Sequence, residues 1–184
     1  MSARTSIICL LRGVNVGGRG LVKMTELKAV FETLGFAPVQ TVLQSGNVVF
    51  TAKHVNLPAI ANAITAALKE QLIAEPEVIL RTAAEMREIV ARNPLVAEAS
   101  GAPGHLLVHF LSGPADKGSN AKLSALARPP EKFLVADREV YIHYANGAAR
   151  SKLGGPAMDN AVGRRGTARN WNTILKLLAL AESV

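Results

Sequence analysis

At 184 residues the chain can form one large domain or two small ones, and either arrangement can bury a real core. Its composition, 49% apolar and 19% charged, is that of an ordinary globular protein, and the lone Cys9 excludes an internal disulfide framework and fits a reducing compartment. The formal net charge is +7, which raises the question of where the excess of lysine and arginine lies.

Met1 to Thr5 leads into an apolar run that ends at Arg12, too short for a secretory signal. No stretch approaches the roughly 20 apolar residues that span a bilayer. The expectation is a cytoplasmic protein with no membrane partner. Ile7 to Arg12 reads as a buried strand, followed by a loop with glycine at 13, 17, 18 and 20 and arginine at 12 and 19. Met24, Leu27, Val30, Phe31 and Leu34 recur at helical spacing, with Gly35 as the stop. Val39 to Leu43 and Asn47 to Thr51 are strand-like and flank Gln44-Ser45-Gly46, the signature of a tight hairpin in which Gly46 is free to take positive φ. Leu57 to Leu72 carries a longer helical period with Pro58 in its first turn, and Glu77 to Arg81 resembles one more strand. The order strand, helix, strand, strand, helix, strand is that of a ferredoxin-like plait.

A helix over about residues 83–92 ends at Asn93-Pro94, and Glu98 to Gly104 is a candidate linker. The pattern then restarts. Leu106 to Leu111 is a strand, and Ser119 is a candidate N-cap for a helix closed by Pro129-Pro130. Phe133 to Ala136 and Val140 to Tyr144 flank Asp137-Arg138 as a second hairpin. A glycine-rich connection from Asn146 to Gly166 leads to a final helix from about Thr167 to Ala181. The second half repeats the first, except that its last strand has no clear signal. The fold class expected is α+β: two tandem ferredoxin-like (α/β-plait) lobes with antiparallel sheets, residues 1–82 and 83–184.

Charge follows this layout. Residues 1–23 carry +4, residues 24–144 carry −1 and residues 145–184 carry +4. The excess therefore sits in two glycine-rich stretches, the composition expected around phosphate or a nucleic-acid backbone. Glycine lets backbone N–H groups turn inward and lets a ligand approach closely, because no Cβ intervenes. The first loop is neither of two named phosphate motifs. A P-loop needs Lys and Ser or Thr where this chain has Arg19-Gly20, and the dinucleotide fingerprint G-x-G-x-x-G is absent. What remains is a generic anion nest. Thr167 to Asn172, read as a helix start, adds N–H groups and a favourable dipole, with Arg169, Asn172 and Lys176 on one stripe and Trp171 as a core anchor.

Catalytic sets are largely missing. His105, His109 and His143 lack a cysteine or acidic cluster that would complete a metal site, and Asp159 is the only acid in the basic connection. At 4% aromatic, base stacking across a sheet face, as in RNA-recognition plaits, is disfavoured. Nucleic acid would be held by its backbone.

Leu10-Leu11-Arg12-Gly13-Val14-Asn15-Val16-Gly17-Gly18, Gln44-Ser45-Gly46-Asn47-Val48-Val49-Phe50, Ser151-Lys152-Leu153 and Thr167-Ala168-Arg169-Asn170-Trp171-Asn172-Thr173 together resemble a bacterial family described as a domain of unknown function. The resemblance spans nearly the whole chain. It implies a cytoplasmic protein of two α/β-plait lobes and implies no activity. Two departures are Lys23, where relatives often carry proline, and the glycine-rich Gly154-Gly155-Pro156, a region usually more helical.

The reading that follows is a protein binding a phosphate-bearing small molecule or a nucleic-acid backbone. Arg12, Asn15, Gly17, Gly18, Arg19, Ser45, Asn47, Ser151, Lys152, Arg169, Asn170 and Asn172 are its candidate ligand-binding residues, with no metal. One alternative is an enzyme acting on a small phosphorylated metabolite, in which Lys152 or Arg169 stabilises developing charge. The other is a structural module whose loops only join the lobes. The sequence names no cofactor, ligand or oligomeric state.

Overall fold

The opening apolar run becomes the second-from-edge strand of a four-stranded sheet. Residues 4–15, 22–72 and 74–184 are described in the computed structural model. Strand β1 (Thr5–Arg12) pairs antiparallel with β3 (Asn47–Ala52) on one side and β4 (Glu77–Thr82) on the other. With β2 (Val39–Val42) outside β3, the order is β2-β3-β1-β4. Helix α1 (Met24–Thr33) joins β1 to β2, and α2 (Leu57–Leu72) joins β3 to β4.

Successive strand side chains point to opposite faces. Ile7, Cys9 and Leu11 meet Leu27, Phe31, Phe50, Ile64 and Leu68 in the core beneath the helices. Ile8 and Leu10 point the other way, level with Val49 and Ile79, and these four are at most 2% exposed. A strand buried on both faces needs no alternation, which is why this one reads as an unbroken apolar run.

The second lobe repeats the path. Strand β5 (Leu106–Leu111), helix α4 (Ser119–Leu126), strands β6 (Lys132–Ala136) and β7 (Glu139–His143), helix α5 (Gly155–Val162) and strand β8 (Gly166–Asn170) give the order β6-β7-β5-β8. Each lobe is followed by a further helix, α3 (Ala83–Ala91) after β4 and α6 (Trp171–Glu182) after β8. The fold is α+β, two tandem ferredoxin-like lobes with antiparallel sheets. By compactness, the described residues up to Ile89 with Lys176–Val184 form one unit, and Val90–Leu175 form the other. No helix among the described residues is long and apolar enough to cross a membrane.

Four local expectations change. The connection from Asn146 to Gly166 contains α5, which begins beside Pro156 in its first turn and stops at Gly163, φ +68°. Its glycines bracket a two-turn helix, whose Met158, Ala161 and Val162 are buried. Thr167–Asn170 is strand, not helix: β5 supplies the ladder, with Val108 opposite Arg169 and Phe110 opposite Thr167. So short a segment, polar on one side, shows no apolar period, and tertiary pairing overrides local preference. Helix α6 consequently buries Trp171, Ile174, Leu177 and Ala181, while Leu175 is 42% exposed. Arg169 therefore does not share a helical stripe with Asn172 and Lys176. Finally, Gly118 rather than Ser119 caps α4, because Ser119 is buried and its hydroxyl donates back to the Asp116 carbonyl at 2.6 Å.

The hairpin between β2 and β3 is held from both sides. Leu11 N–H donates to the Gly46 carbonyl at 2.8 Å, and a Cβ at Gly46 would stand 2.9 Å from that of Leu11. Gly46 also has φ +70°. Gly46→Ala is expected to cost about 2–3 kcal/mol, from left-handed strain plus overpacking against Leu11, and urea unfolding measures it. A midpoint equal to that of the unmodified protein would show that the turn relaxes without penalty.

Candidate anion-binding site

In the first lobe, strand register gathers two of the stretches marked in the sequence at one end of the sheet. Leu10 lies opposite Asn47 and Arg12 opposite Glu77, so the exit of β1 meets the β2–β3 hairpin and the start of β4. Asn15 fixes the junction. It has φ +57°, and its amide nitrogen donates to the carbonyls of Val22 at 3.0 Å and Gln44 at 2.9 Å. Its amide oxygen accepts from Val22 N–H at 2.8 Å. Asparagine tolerates this left-handed backbone better than other side chains do. Both ends of its amide are used within the protein, so Asn15 positions the turn.

Asn47 is fully buried and equally committed: its amide donates to the Val42 carbonyl at 3.0 Å and to Ser45 Oγ at 2.8 Å, closing the hairpin. Ser45 is exposed at the tip. Arg12 is half-buried and stands opposite Glu77 in the β1–β4 ladder, which sets unlike charges on neighbouring strands. Gly17, Gly18 and Arg19 lie outside the described residues.

In the second lobe the marked residues take different places. Arg169 is 8% exposed, and its Nη1 donates to Thr167 Oγ1 at 2.5 Å and to the Ala168 carbonyl at 2.9 Å. Asn170 caps α6, its Oδ1 accepting from Thr173 N–H at 2.9 Å. Asn172 and Lys152 are exposed. Ser151 Oγ accepts from Leu153 N–H at 2.9 Å and lines a cavity of about 430 Å³ with Arg128, Glu131, Asn146, Gly147 and Arg150.

The first lobe contains a counterpart to the Arg169–Asn170 pair. Arg81, 1% exposed, stands opposite Ile8 as Arg169 stands opposite Val108, and it too donates to the preceding carbonyl, Leu80, at 2.8 Å. The next residue, Thr82, caps α3 in a reciprocal box: Glu85 N–H donates to Thr82 Oγ1 at 3.1 Å and Thr82 N–H to Glu85 Oε2 at 2.7 Å. Each lobe thus ends on a buried arginine followed at once by a helix cap. The Thr-x-x-Glu spacing was readable from sequence; the burial of Arg81 and the Arg128–Arg150 cavity carried no signal there.

His109 turns toward α5, with Nε2 3.8 Å from Asp159 Oδ1. Gly166 makes room for the ring, since a Cβ there would stand 2.5 Å from Nε2. His143, opposite Leu106, belongs to the other face of the sheet, so these two histidines do not converge. Among the described residues no three His, Cys, Asp or Glu side chains come together as metal ligands would.

These features define a two-lobed α/β-plait protein with polar turns at the ends of both sheets. The chain belongs to the family described as protein of unknown function, DUF1697, whose pattern it matches over residues 4–141. Among solved structures it is similar to the conserved bacterial protein SP0830 from Streptococcus pneumoniae, with 20% identity and a TM-score of 0.77 over 97% of this chain and 99% of that one. At that identity the likeness is one of fold. No curated protein matches the chain.

Two measurements check the local assignments. Asn170→Ala removes a cap and is expected to cost about 1 kcal/mol in thermal or urea unfolding, whereas Asn172→Ala, at an exposed position, should leave stability within about 0.5 kcal/mol. A reversed order would contradict the capping role. The two tyrosines supply the second test. Burial, then the Glu139 charge, pushes Tyr141 up to about 12, and burial, then Glu131, raises Tyr144 as well. Both pKa values lie above the unfolded value of about 10, so the stability they contribute is complete below about pH 10 and is lost as pH rises through each ring's folded value, about 12 for Tyr141. Absorbance at the phenolate band should therefore stay low past pH 10 in the folded protein, and early titration of either ring would refute its burial.

Proposed function

We propose that this protein binds a phosphate-bearing ligand, either a phosphorylated small molecule or a nucleic-acid backbone, through the basic glycine-rich stretch after β1. Arg12 and Arg19 supply the charge, and Gly17 and Gly18 supply backbone N–H groups. The observation that supports this reading is the Asn15 amide, which joins Val22 and Gln44 and so ties both ends of the glycine-rich stretch to the hairpin. A cradle made of main-chain donors works only when it is set before the ligand arrives, because ordering it at the moment of binding consumes affinity. Asn15 ties the two positions that flank the stretch, its own and Val22, to each other and to the hairpin. In this reading Asn15 and Asn47 are positioning residues, and the contacts fall to the arginines and the glycine backbone.

A thermal-shift screen of phosphorylated metabolites, run beside oligonucleotide titrations at several salt concentrations, tests the proposal. A ligand present at 100 times its Kd adds about 2.7 kcal/mol of stability. A nucleic-acid backbone gives affinity that falls steeply with salt, because bound counterions are released. For a ligand held after β1, Arg12→Gln with Arg19→Gln should abolish the response, and Asn15→Ala should weaken it. If no phosphate compound or oligonucleotide gives a saturable response that is lost in the double-arginine variant, the assignment is overturned.

A further inference from the structure

The second lobe carries a cavity at the end of its sheet where β5 begins and β7 finishes. We infer that it is a separate binding site for a small phosphorylated polyol, such as a sugar phosphate. Its volume of about 430 Å³ lies in the range of small-metabolite pockets. One wall is the turn before β6, with Arg128 and Glu131; the other is the turn after β7, with Asn146, Gly147, Arg150 and Ser151.

Both walls are already set. In the first, Arg128 N–H donates to Glu131 Oε2 at 2.8 Å, and Glu131 N–H donates to the Arg128 carbonyl at 2.8 Å. In the second, Gly147 N–H reaches the Tyr144 carbonyl at 2.8 Å and Ser151 N–H the Ala148 carbonyl at 3.1 Å. The buried Tyr144 hydroxyl donates to the Leu153 carbonyl, anchoring this loop on the core. Gly147 has φ +78°, so the wall holds at a position where a side chain would be strained.

The donor set defines the ligand. Among the described residues the guanidinium groups of Arg128 and Arg150 make no hydrogen bond or ion pair, leaving a planar fork on each wall of the cavity available to a phosphate. Ser151 accepts from Leu153 N–H and keeps its own proton to donate. Glu131 uses one carboxylate oxygen on Arg128 N–H; the other accepts from a hydroxyl, and the Asn146 amide can do either. A bare anion has no use for the carboxylate, whereas a phosphorylated polyol engages both halves.

The first lobe has a cavity at the same point of its own path, between the turn before β2 and the turn after β3, with Arg4, Phe36, Lys53 and His54 in its lining and a volume of about 320 Å³. There Arg4 is already engaged: Nε donates to Thr51 Oγ1 at 2.7 Å and Nη2 to the Thr51 carbonyl at 3.1 Å. The same topological position is thus basic in both lobes, and among the described residues the arginines of the second are the uncommitted ones.

The test is an amide-resolved NMR titration of the full chain with glucose 6-phosphate, inorganic phosphate and glucose in parallel. Glucose 6-phosphate should give saturable shifts at Asn146, Gly147 and Ser151, phosphate weaker ones at the same amides, and glucose none. Arg128→Gln and Arg150→Gln, exposed substitutions checked for folding by thermal melts, should each weaken binding roughly tenfold. The Arg12→Gln and Arg19→Gln variant should bind normally, which separates this site from the one proposed after β1. No saturable shift, shifts confined to other residues, or unchanged affinity in either Arg128 or Arg150 variant would overturn the site. Phosphate binding as tightly as glucose 6-phosphate would overturn the polyol.

Discussion

Each lobe depends on a first strand hydrogen-bonded along both edges and buried on both faces. Ile7, Ile8, Cys9 and Leu10 are fully buried, as are Val108, Phe110 and Leu111 in the corresponding strand of the second lobe. Such a strand has no tolerance for slippage, since moving one residue in register would exchange the side chains of its two faces against differently shaped surroundings. Its fixed register sets the height of both neighbouring strands. Those strands in turn decide which loops share an end of the sheet, so the functional possibilities of the lobe follow from this pairing.

The two ends are unequal. At one end of the first lobe, the turn after β1 and the β2–β3 hairpin are knit by side chain to main chain bonds from Asn15 and Asn47, residues whose chemistry is spent on geometry. At the opposite end, in both lobes, an α-to-β turn faces a β-to-α turn across a small basic cavity. The lobes differ in how those cations are employed. Thr51 occupies Arg4, whereas among the described residues the guanidinium groups of Arg128 and Arg150 have no partner. Repetition of a fold thus preserves the position of a cavity while the side chains around it diverge.

The buried arginines show a second kind of repetition. Arg81 and Arg169 occupy matching positions on the last strand of their sheets, each curling back onto the carbonyl before it, and each precedes the cap of the next helix. A guanidinium removed from water must find acceptors, and main-chain oxygens at a strand end supply them. The arrangement couples the end of the sheet to the first turn of the helix, and it accounts for an arginine and an asparagine that, read as isolated letters, suggest a ligand.

The sequence by itself determined the element order of the first lobe, the hairpins at Gly46 and at Asp137-Arg138, and the repeat of the plait, because apolar spacing and turn glycines are local signals. It also located the excess charge. Only the tertiary structure decided that Thr167–Asn170 is a strand, since its ladder partner β5 lies some sixty residues away and leaves no trace in local periodicity. Tertiary packing likewise made a helix of Gly155–Val162, whose flanking glycines resemble a loop until Met158 and Val162 meet the core. The same distinction governs the polar residues. Whether an asparagine or arginine serves a ligand or a neighbouring carbonyl depends on which main-chain groups the fold brings within about 3 Å, and that is settled by register and burial rather than by residue type.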